Sequence, residues 1–333
     1  MLSTEVRLVR RPHGDPTPAD FEIGEVALPD VAPEGCVVVR NTWLSVDPYM
    51  RGRMDDVASY VAPFALGAAM DGAAVGTVVS SADQTLPVGT EVVHGLGWRD
   101  IAVVPAGAAH AIDTSIAPAP DHLGTFGMPG LTAYVGLTRI APVATGDVVL
   151  VSGAAGAVGL VAGRVARAAG ASLVIGTAGD PDKCRRLVDE LGFDAAVDRR
   201  QGDLLTQLRD AAPVGIDVYF DNVGGDHLRA AVELMRPHGR IALCGAISEY
   251  NATGATPGPD NLILAIKRQL TLRGYLVGDH LDLFEEYLDH AVQWRSEGVL
   301  PDVRTEVVGL DSAVDAFLSM LSGGNVGKMV VRL

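Results

Sequence analysis

The chain predicts an α/β protein in two parts, a β-rich domain and a doubly wound parallel-sheet domain. Three observations predict it. Its 333 residues exceed what one hydrophobic core usually supports. Up to about residue 118, short strands are punctuated by Gly and Pro, whereas from residue 123 apolar strands alternate with helices. Within the second part stands Val148-Val149-Leu150-Val151-Ser152-Gly153-Ala154-Ala155-Gly156-Ala157-Val158-Gly159, an apolar strand entering a glycine turn that opens a helix.

In the first part, residues 6–10, 36–45, 73–80, 91–94 and 100–104 read as strands. Pro87-Val88-Gly89-Thr90 is a turn feeding the fourth of these. The strands of the second part are 148–152, 173–177, 195–198, 217–221, 240–244 and 271–277, with an amphipathic helix at 281–297. This rhythm demands right-handed crossovers and one parallel sheet. Residues 251–259 form a Gly/Pro-rich loop. The tail returns to strand (304–308), helix (312–321) and strand (328–333), and is expected to rejoin the first domain. The predicted domains are therefore 1–120 with 301–333, and 121–300.

The glycines at 153, 156 and 159 each suit a dinucleotide. The first permits a sharp turn and the second lets backbone approach a pyrophosphate. The third clears the helix–strand contact so that helix N–H groups face the phosphates. NAD sites usually place a carboxylate at the end of the next strand, on the ribose 2′-hydroxyl. Here that strand ends Gly176-Thr177-Ala178-Gly179, and Asp180-Pro181 reads as the N-cap and first turn of a helix. Lys183 on that helix and the pair Arg199-Arg200 supply cations instead, which favours NADP. The alternative for Lys183, Arg185 and Arg186 is an ordinary solvated basic face.

Composition excludes other classes. Hydrophobic residues make up 48% and charged residues 20%, as in a well-packed globule. Twenty-six Lys and Arg against 41 Asp and Glu leave a net charge of −15, which repels nucleic acid and anionic membrane surfaces. No apolar run approaches the roughly 20 residues of a membrane span, and residues 1–11 carry no signal-peptide core. Cys36, Cys184 and Cys244 are too far apart for a CxxC site and fit a reducing cytosol, so a cytoplasmic location is expected.

The sequence resembles the zinc-independent medium-chain dehydrogenases/reductases. It is similar there to the NADPH-dependent alkenal, prostaglandin and leukotriene B4 reductases, which include curcumin reductases and plant double-bond reductases. The strings that carry the resemblance span nearly the whole chain: Leu44-Ser45-Val46-Asp47-Pro48-Tyr49-Met50-Arg51, Met128-Pro129-Gly130-Leu131-Thr132-Ala133-Tyr134, the glycine turn, Tyr219-Phe220-Asp221-Asn222-Val223-Gly224-Gly225, Cys244-Gly245-Ala246-Ile247-Ser248 with Tyr250-Asn251, and Asn325-Val326-Gly327-Lys328. The resemblance implies a GroES-like β domain and a Rossmann domain. It implies hydride transfer from NADPH to the β-carbon of an α,β-unsaturated ketone or aldehyde, and a homodimer. It places Gly156, Ala157, Val158 and Gly159 at the pyrophosphate and Lys183 at the 2′-phosphate. Asn222 follows the fourth strand of the Rossmann domain. Cys244, Gly245, Ala246, Ile247, Ser248 and Tyr250 line the nicotinamide side, with Tyr275, Leu276 and Val277 at the next strand end. Asn325 closes over the cofactor. Arg199 replaces a family tyrosine, and its planar fork suits a phosphate. Two pocket tyrosines of the family are missing, one where Ile266-Lys267-Arg268 stands and one in Asp71-Gly72-Ala73-Ala74.

The zinc-binding relatives need a Gly-His-Glu segment near residue 70, but this chain reads Gly67-Ala68-Ala69-Met70-Asp71-Gly72 and offers no ligand. Without metal, an enone carbonyl is polarised by hydrogen-bond donors. Tyr49 is the first side-chain candidate and Tyr250 the second, although either can serve as packing and a cofactor ribose hydroxyl can donate instead. His94, His110, His122, His227 and His238 fall in turns or strand ends and read as surface or packing groups. Cys244 reads as a small buried residue, Asp47 as a turn-fixing group, and Arg51 and Arg53 as salt-bridge partners. Residues 271–277 read as an apolar sheet edge that two copies would pair, a contact that Arg273→Pro should break. Two alternatives stay open: a quinone reductase of the same superfamily, and a non-enzymatic NADPH-binding sensor.

Overall fold

Strands dominate the beginning of the chain: β1 (Leu2–Leu8), β2 (Phe21–Ala27), β3 (Cys36–Ser45), a one-turn α1 (Tyr49–Gly52), β4 (Ala74–Ser81), β5 (Glu91–His94), β6 (Ile101–Pro105) and β7 (Ala109–Ala111). Helices and strands then alternate through α2 (Met128–Val135), β8 (Val148–Val151), α3 (Ala157–Ala168), β9 (Leu173–Ala178), α4 (Pro181–Asp189), β10 (Ala195–Asp198), α5 (Leu204–Ala211), β11 (Ile216–Asp221), α6 (Gly225–Leu234), β12 (Met235–Leu243), α7 (Ile263–Lys267), β13 (Thr271–Gly274) and α8 (Phe284–Ser296). The chain ends with β14 (Arg304–Val308), α9 (Ala313–Leu321) and β15 (Lys328–Arg332). The computed structural model describes residues 1–300 and 303–333, in two units: Met1–Leu123 with Arg304–Leu333, and Gly124–Val303.

In the first unit, β14, β15, β3, β4, β5 and β7 lie side by side, and β6 pairs β3. β1 and β2 form a separate antiparallel ribbon. The core draws on both ends of the sequence. Met50, Met54, Phe64, Met70 and Trp98 are buried with Phe317, Met320 and Met329. Trp98 meets Phe317 edge-on at 6.0 Å between ring centroids, a contact worth about 1 kcal/mol beyond its buried area.

In the second unit, six strands run parallel in the order β10-β9-β8-β11-β12-β13. Every residue of β8 is buried, as a strand covered on both faces requires. Val148, Leu150, Ile175, Val197, Tyr219 and Ile241 pack with Leu208 of α5 and with Ala230 and Ala231 of α6. The chain winds outward from β8 to β10, then restarts at β11 and winds the other way to β13. The reversal between β8 and β11 opens a crevice at the carboxyl ends of the strands, where ligands of such sheets bind.

Several elements differ from the sequence reading. β2 went unread because Glu22, Gly24 and Glu25 interrupt its apolar pattern and most of the strand is exposed. β12 begins at Met235, five residues early, and a register shift between Ile216 and Val218 on β11 accommodates the extra length. β13 stops at Gly274 because its last partner is Leu243, after which β12 turns away. β13 is an edge strand, but Thr271, Arg273 and Gly274 are exposed, so the edge is largely polar. His227 lies inside α6, not in a turn.

Candidate functional site

Gly153 adopts a φ of 59°, a conformation that favours glycine, and this turns the chain out of β8. At Gly159, a side chain would collide with the Gly153 carbonyl and Ala154. Gly156 differs: a Cβ there would meet only the Gly153 carbonyl oxygen, at 3.3 Å. That contact is tight, but a shift of a few tenths of an ångström would relieve it, unlike the collision at Gly159. Gly156 is the N-cap of α3 and supplies no side-chain cap, so the N–H groups of Ala157, Val158 and Gly159 face outward as donors. A pyrophosphate suits that ground.

Asn222, just past β11, is fixed to the glycine turn. Its side-chain amide donates to the Ser152 carbonyl at 2.7 Å, and its main-chain N–H donates to the Ser152 hydroxyl at 2.9 Å. Asp221, buried beside it, accepts from Tyr219, Ser152 and the N–H groups of Val223 and Gly224. Burial raises the Asp221 carboxyl above the usual range, and these donors oppose that rise. The segment after β12 is stitched to the same place. Cys244 and Gly245 donate to the Asp221 carbonyl, Ile247 to that of Asn222, and Ser248 to that of Val223. Ala246 packs close to Gly224. The Tyr250 hydroxyl lies over Gly245, 3.4 Å from where a Cβ would stand.

Tyr275 is turned inward, its hydroxyl donating to the Thr132 carbonyl at 2.7 Å. Leu276 is exposed and Val277 half-buried. Burial pushes the Cys244 thiol up to about 12, so it stays protonated and is no nucleophile.

Cations gather where β9 and β10 end. The Asp180 carboxylate caps α4 by accepting from the Lys183 N–H at 2.9 Å. A Cβ on Gly179 would stand 3.5 Å from Arg200 Nε and 3.7 Å from Arg199 Nε. The Lys183 ammonium is lowered by burial first; Asp180 raises it, and Arg200 and Arg199 lower it. Two guanidiniums beside a side-chain-free residue, with the Lys183 ammonium close enough to feel both, suit a dianion. Arg185 and Arg186 do not join them, since they pair with Asp182 and Glu190 on the exposed helix face.

The remaining candidates lie in the first unit. Tyr49 begins α1 and packs against the core, yet among the described residues its hydroxyl makes no hydrogen bond. Burial first, then Asp47, holds that hydroxyl well above the usual tyrosine range, with Arg53 opposing. Arg51 pairs with Asp55 at 2.9 Å, and Arg53 lies 3.7 Å from Asp71. Asp47 accepts from Ser45 and from Lys328, a partner that no local motif announced. Asn325 donates to the Gly327 carbonyl at 2.7 Å in the turn before β15. Among the described residues, no three His, Cys, Asp or Glu side chains gather as a metal site, and no helix is long and apolar enough to cross a membrane.

Residues 4–112 match the family described as the N-terminal domain of oxidoreductase, and residues 157–297 match the family described as zinc-binding dehydrogenase. The NADPH-dependent curcumin reductase of Escherichia coli is 37% identical over 334 residues, covering 98% of this chain and 95% of that protein. The NADP(+)-dependent 2-alkenal reductase of Nicotiana tabacum is 38% identical, covering 96% and 94%. CurA from Vibrio vulnificus, solved in complex with NADPH, superposes with a TM-score of 0.94 at 36% identity over 99% of this chain and 98% of its own. Full-length likeness at this identity, together with the glycine turn and the two-unit fold, makes the chain a member of the medium-chain dehydrogenase/reductase superfamily, in the branch of the curcumin and 2-alkenal reductases.

Proposed function

We propose that the protein is an NADPH-dependent reductase of the C=C bond of α,β-unsaturated ketones or aldehydes. The Lys183, Arg199 and Arg200 cluster around Gly179 carries the cofactor part of this reading. It suits a 2′-phosphate, and the neighbouring carboxylate, Asp180, is taken up in capping α4. Gly156 and the unpaired N–H groups of α3 would hold the pyrophosphate. Segments 244–248 and 275–277 would flank the nicotinamide. The names of the curcumin and 2-alkenal reductases support the same substrate class for this chain.

Bound NADPH would supply a hydride to the β-carbon of the enone. Negative charge would then develop on the carbonyl oxygen, where a fixed donor lowers the barrier, and the enolate would take a proton from water at its α-carbon. Tyr49 is the residue assigned as that fixed donor. Its hydroxyl stays protonated at neutral pH and has no partner to give up among the described residues. Asp47 and Lys328 hold the turn from which it projects. Tyr250 stands as the second donor, next to Gly245.

The test is cofactor oxidation by the purified protein. NADPH and NADH are run separately against a 2-alkenal, an aryl enone and a quinone. NADPH-dependent loss of the enone double bond is the expected result. Turnover of the quinone alone, or NADPH binding without turnover, overturns the assignment.

A further inference from the structure

Arg53 is a fixed, largely buried cation beside Tyr49. It continues the helical turn of α1 with φ −75° and ψ −12°, and a spacing of four residues along a helix brings its side chain next to that of Tyr49. The side chain is only 12% exposed and is held on three sides. Its Nε donates to the Ala62 carbonyl at 2.9 Å, its guanidinium lies 4.0 Å from the centre of the Phe64 ring, and Asp71 stands 3.7 Å away.

Asp71 does not cancel this charge. Arg99 binds the same carboxylate more closely, at 3.0 Å, and is itself fixed to the Met70 carbonyl. Asp47, the other carboxylate near Tyr49, is matched by Lys328. Two arginines thus share one carboxylate, and a surplus of positive charge remains on the Arg53 side of the turn. Burial and Asp47 push the Tyr49 hydroxyl up, Asp71 adds to that, and Arg53 opposes them.

We propose that Arg53 is a positioning residue for the reduction, whose fixed cation polarises the Tyr49 hydroxyl and strengthens the hydrogen bond that Tyr49 gives to the carbonyl oxygen as that oxygen becomes negative. As the hydride reaches the β-carbon, the π-electron pair of the C=C bond shifts toward the oxygen. Tyr49 keeps its proton and Arg53 attracts the new charge from behind it. Away from bulk water such an attraction is stronger than in solution. Because it grows with the developing charge, it raises kcat and leaves ground-state binding unchanged. This inference rests on the enone-reductase reading and deepens it.

The experiment measures kcat and KM with NADPH and 3-buten-2-one in the wild type, Arg53→Gln, Arg53→Lys, Tyr49→Phe and the Tyr49→Phe/Arg53→Gln double variant. Gln keeps an N–H donor but drops the charge, whereas Lys keeps the charge and drops the planar fork. Arg53→Gln should lower kcat at least tenfold and leave both KM values within threefold. Arg53→Lys should retain at least a third of the wild-type kcat, and it decides alone if the Gln variant does not fold. In the Tyr49→Phe background the Gln change should lower kcat less than threefold, because the hydroxyl it acts through is gone. An equal loss with and without that hydroxyl, a Lys variant as slow as the Gln variant, or a loss confined to KM overturns the inference and leaves the enone-reductase reading standing. Wild-type protein that reduces no enone overturns both.

Discussion

Lys328 donates to Asp47 Oδ1 at 2.7 Å, across 281 positions of sequence, and to the Val46 carbonyl at the same distance. The Lys328 side chain is only 5% exposed, and Asp47 also accepts from the Ser45 hydroxyl. One cation thus fixes the turn that carries Tyr49.

Replacing Lys328 with Met should therefore cost stability as well as rate. A half-buried carboxylate left without its cation is destabilising by up to about 3 kcal/mol. Denaturant unfolding should show that loss, and kcat should fall further than the remaining folded fraction explains. Wild-type stability in Lys328→Met would mean that the pair contributes nothing net.

Gly156 and Gly159 should respond in opposite ways to the same added methyl. At Gly159 it meets the Gly153 carbonyl and Ala154, and overpacking of that kind costs about 1–3 kcal/mol. At Gly156 the methyl meets only the Gly153 carbonyl oxygen, at 3.3 Å, so Ala should cost less than it does at Gly159, about 1 kcal/mol, while weakening NADPH binding at least tenfold. Calorimetric titration and thermal unfolding on both variants separate the two roles. Unaltered NADPH affinity in Gly156→Ala would remove the pyrophosphate assignment.

Lys183→Ala should raise the NADPH dissociation constant ten- to a hundredfold, as the loss of one charged hydrogen bond implies at about 1.5–3 kcal/mol. NADH, which lacks the phosphate, should change less than threefold. Equal losses for both cofactors would place Lys183 elsewhere in the site.

Acid should destabilise the fold through its histidines. His94 accepts from the Leu96 N–H on Nδ1, so the proton sits on Nε2 and is donated to Asn41 at 2.8 Å. Burial first, then Arg99, lowers this imidazole to about 4; burial and Arg199 do the same to His227. Below about pH 6.5 the unfolded chain takes up protons that the folded rings refuse until about pH 4. Stability therefore falls as pH drops through that window, by at most about 1.4 kcal/mol per pH unit for each ring. His227→Phe should lose less stability than wild type between pH 7 and pH 5 in denaturant titrations. Equal losses in the two proteins would refute the contribution of His227.

Much of this was legible in the sequence because it is local. The glycine turn, the Asp180 cap and the strand rhythm of the second unit each follow from neighbouring residues. Contacts between distant segments left no such trace. Lys328 gives no hint of Asp47, and the gathering of Arg199 and Arg200 around Gly179 needs β9 and β10 side by side. Asn222 could be placed at a strand end, but not the bond that ties it to Ser152. Tyr275 was placed at the correct strand end, while its inward hydroxyl depends on Thr132 in α2. The apolar edge expected at residues 271–277 failed because the ladder ends with β12, which leaves the apolar residues beyond the strand.

The place of β15 between β14 and β3 has a consequence for biosynthesis. The parallel-sheet unit is one uninterrupted stretch and can finish folding while the chain is still growing. The strand that completes the other unit, together with Phe317 and Lys328, is translated only after all of that stretch. Until then Trp43, Leu44 and Ser45 of β3 lack their partner strand, and the turn bearing Tyr49 lacks its cation. The ribosome therefore delivers a finished nucleotide-binding body before it delivers the residues that make a working enzyme of it.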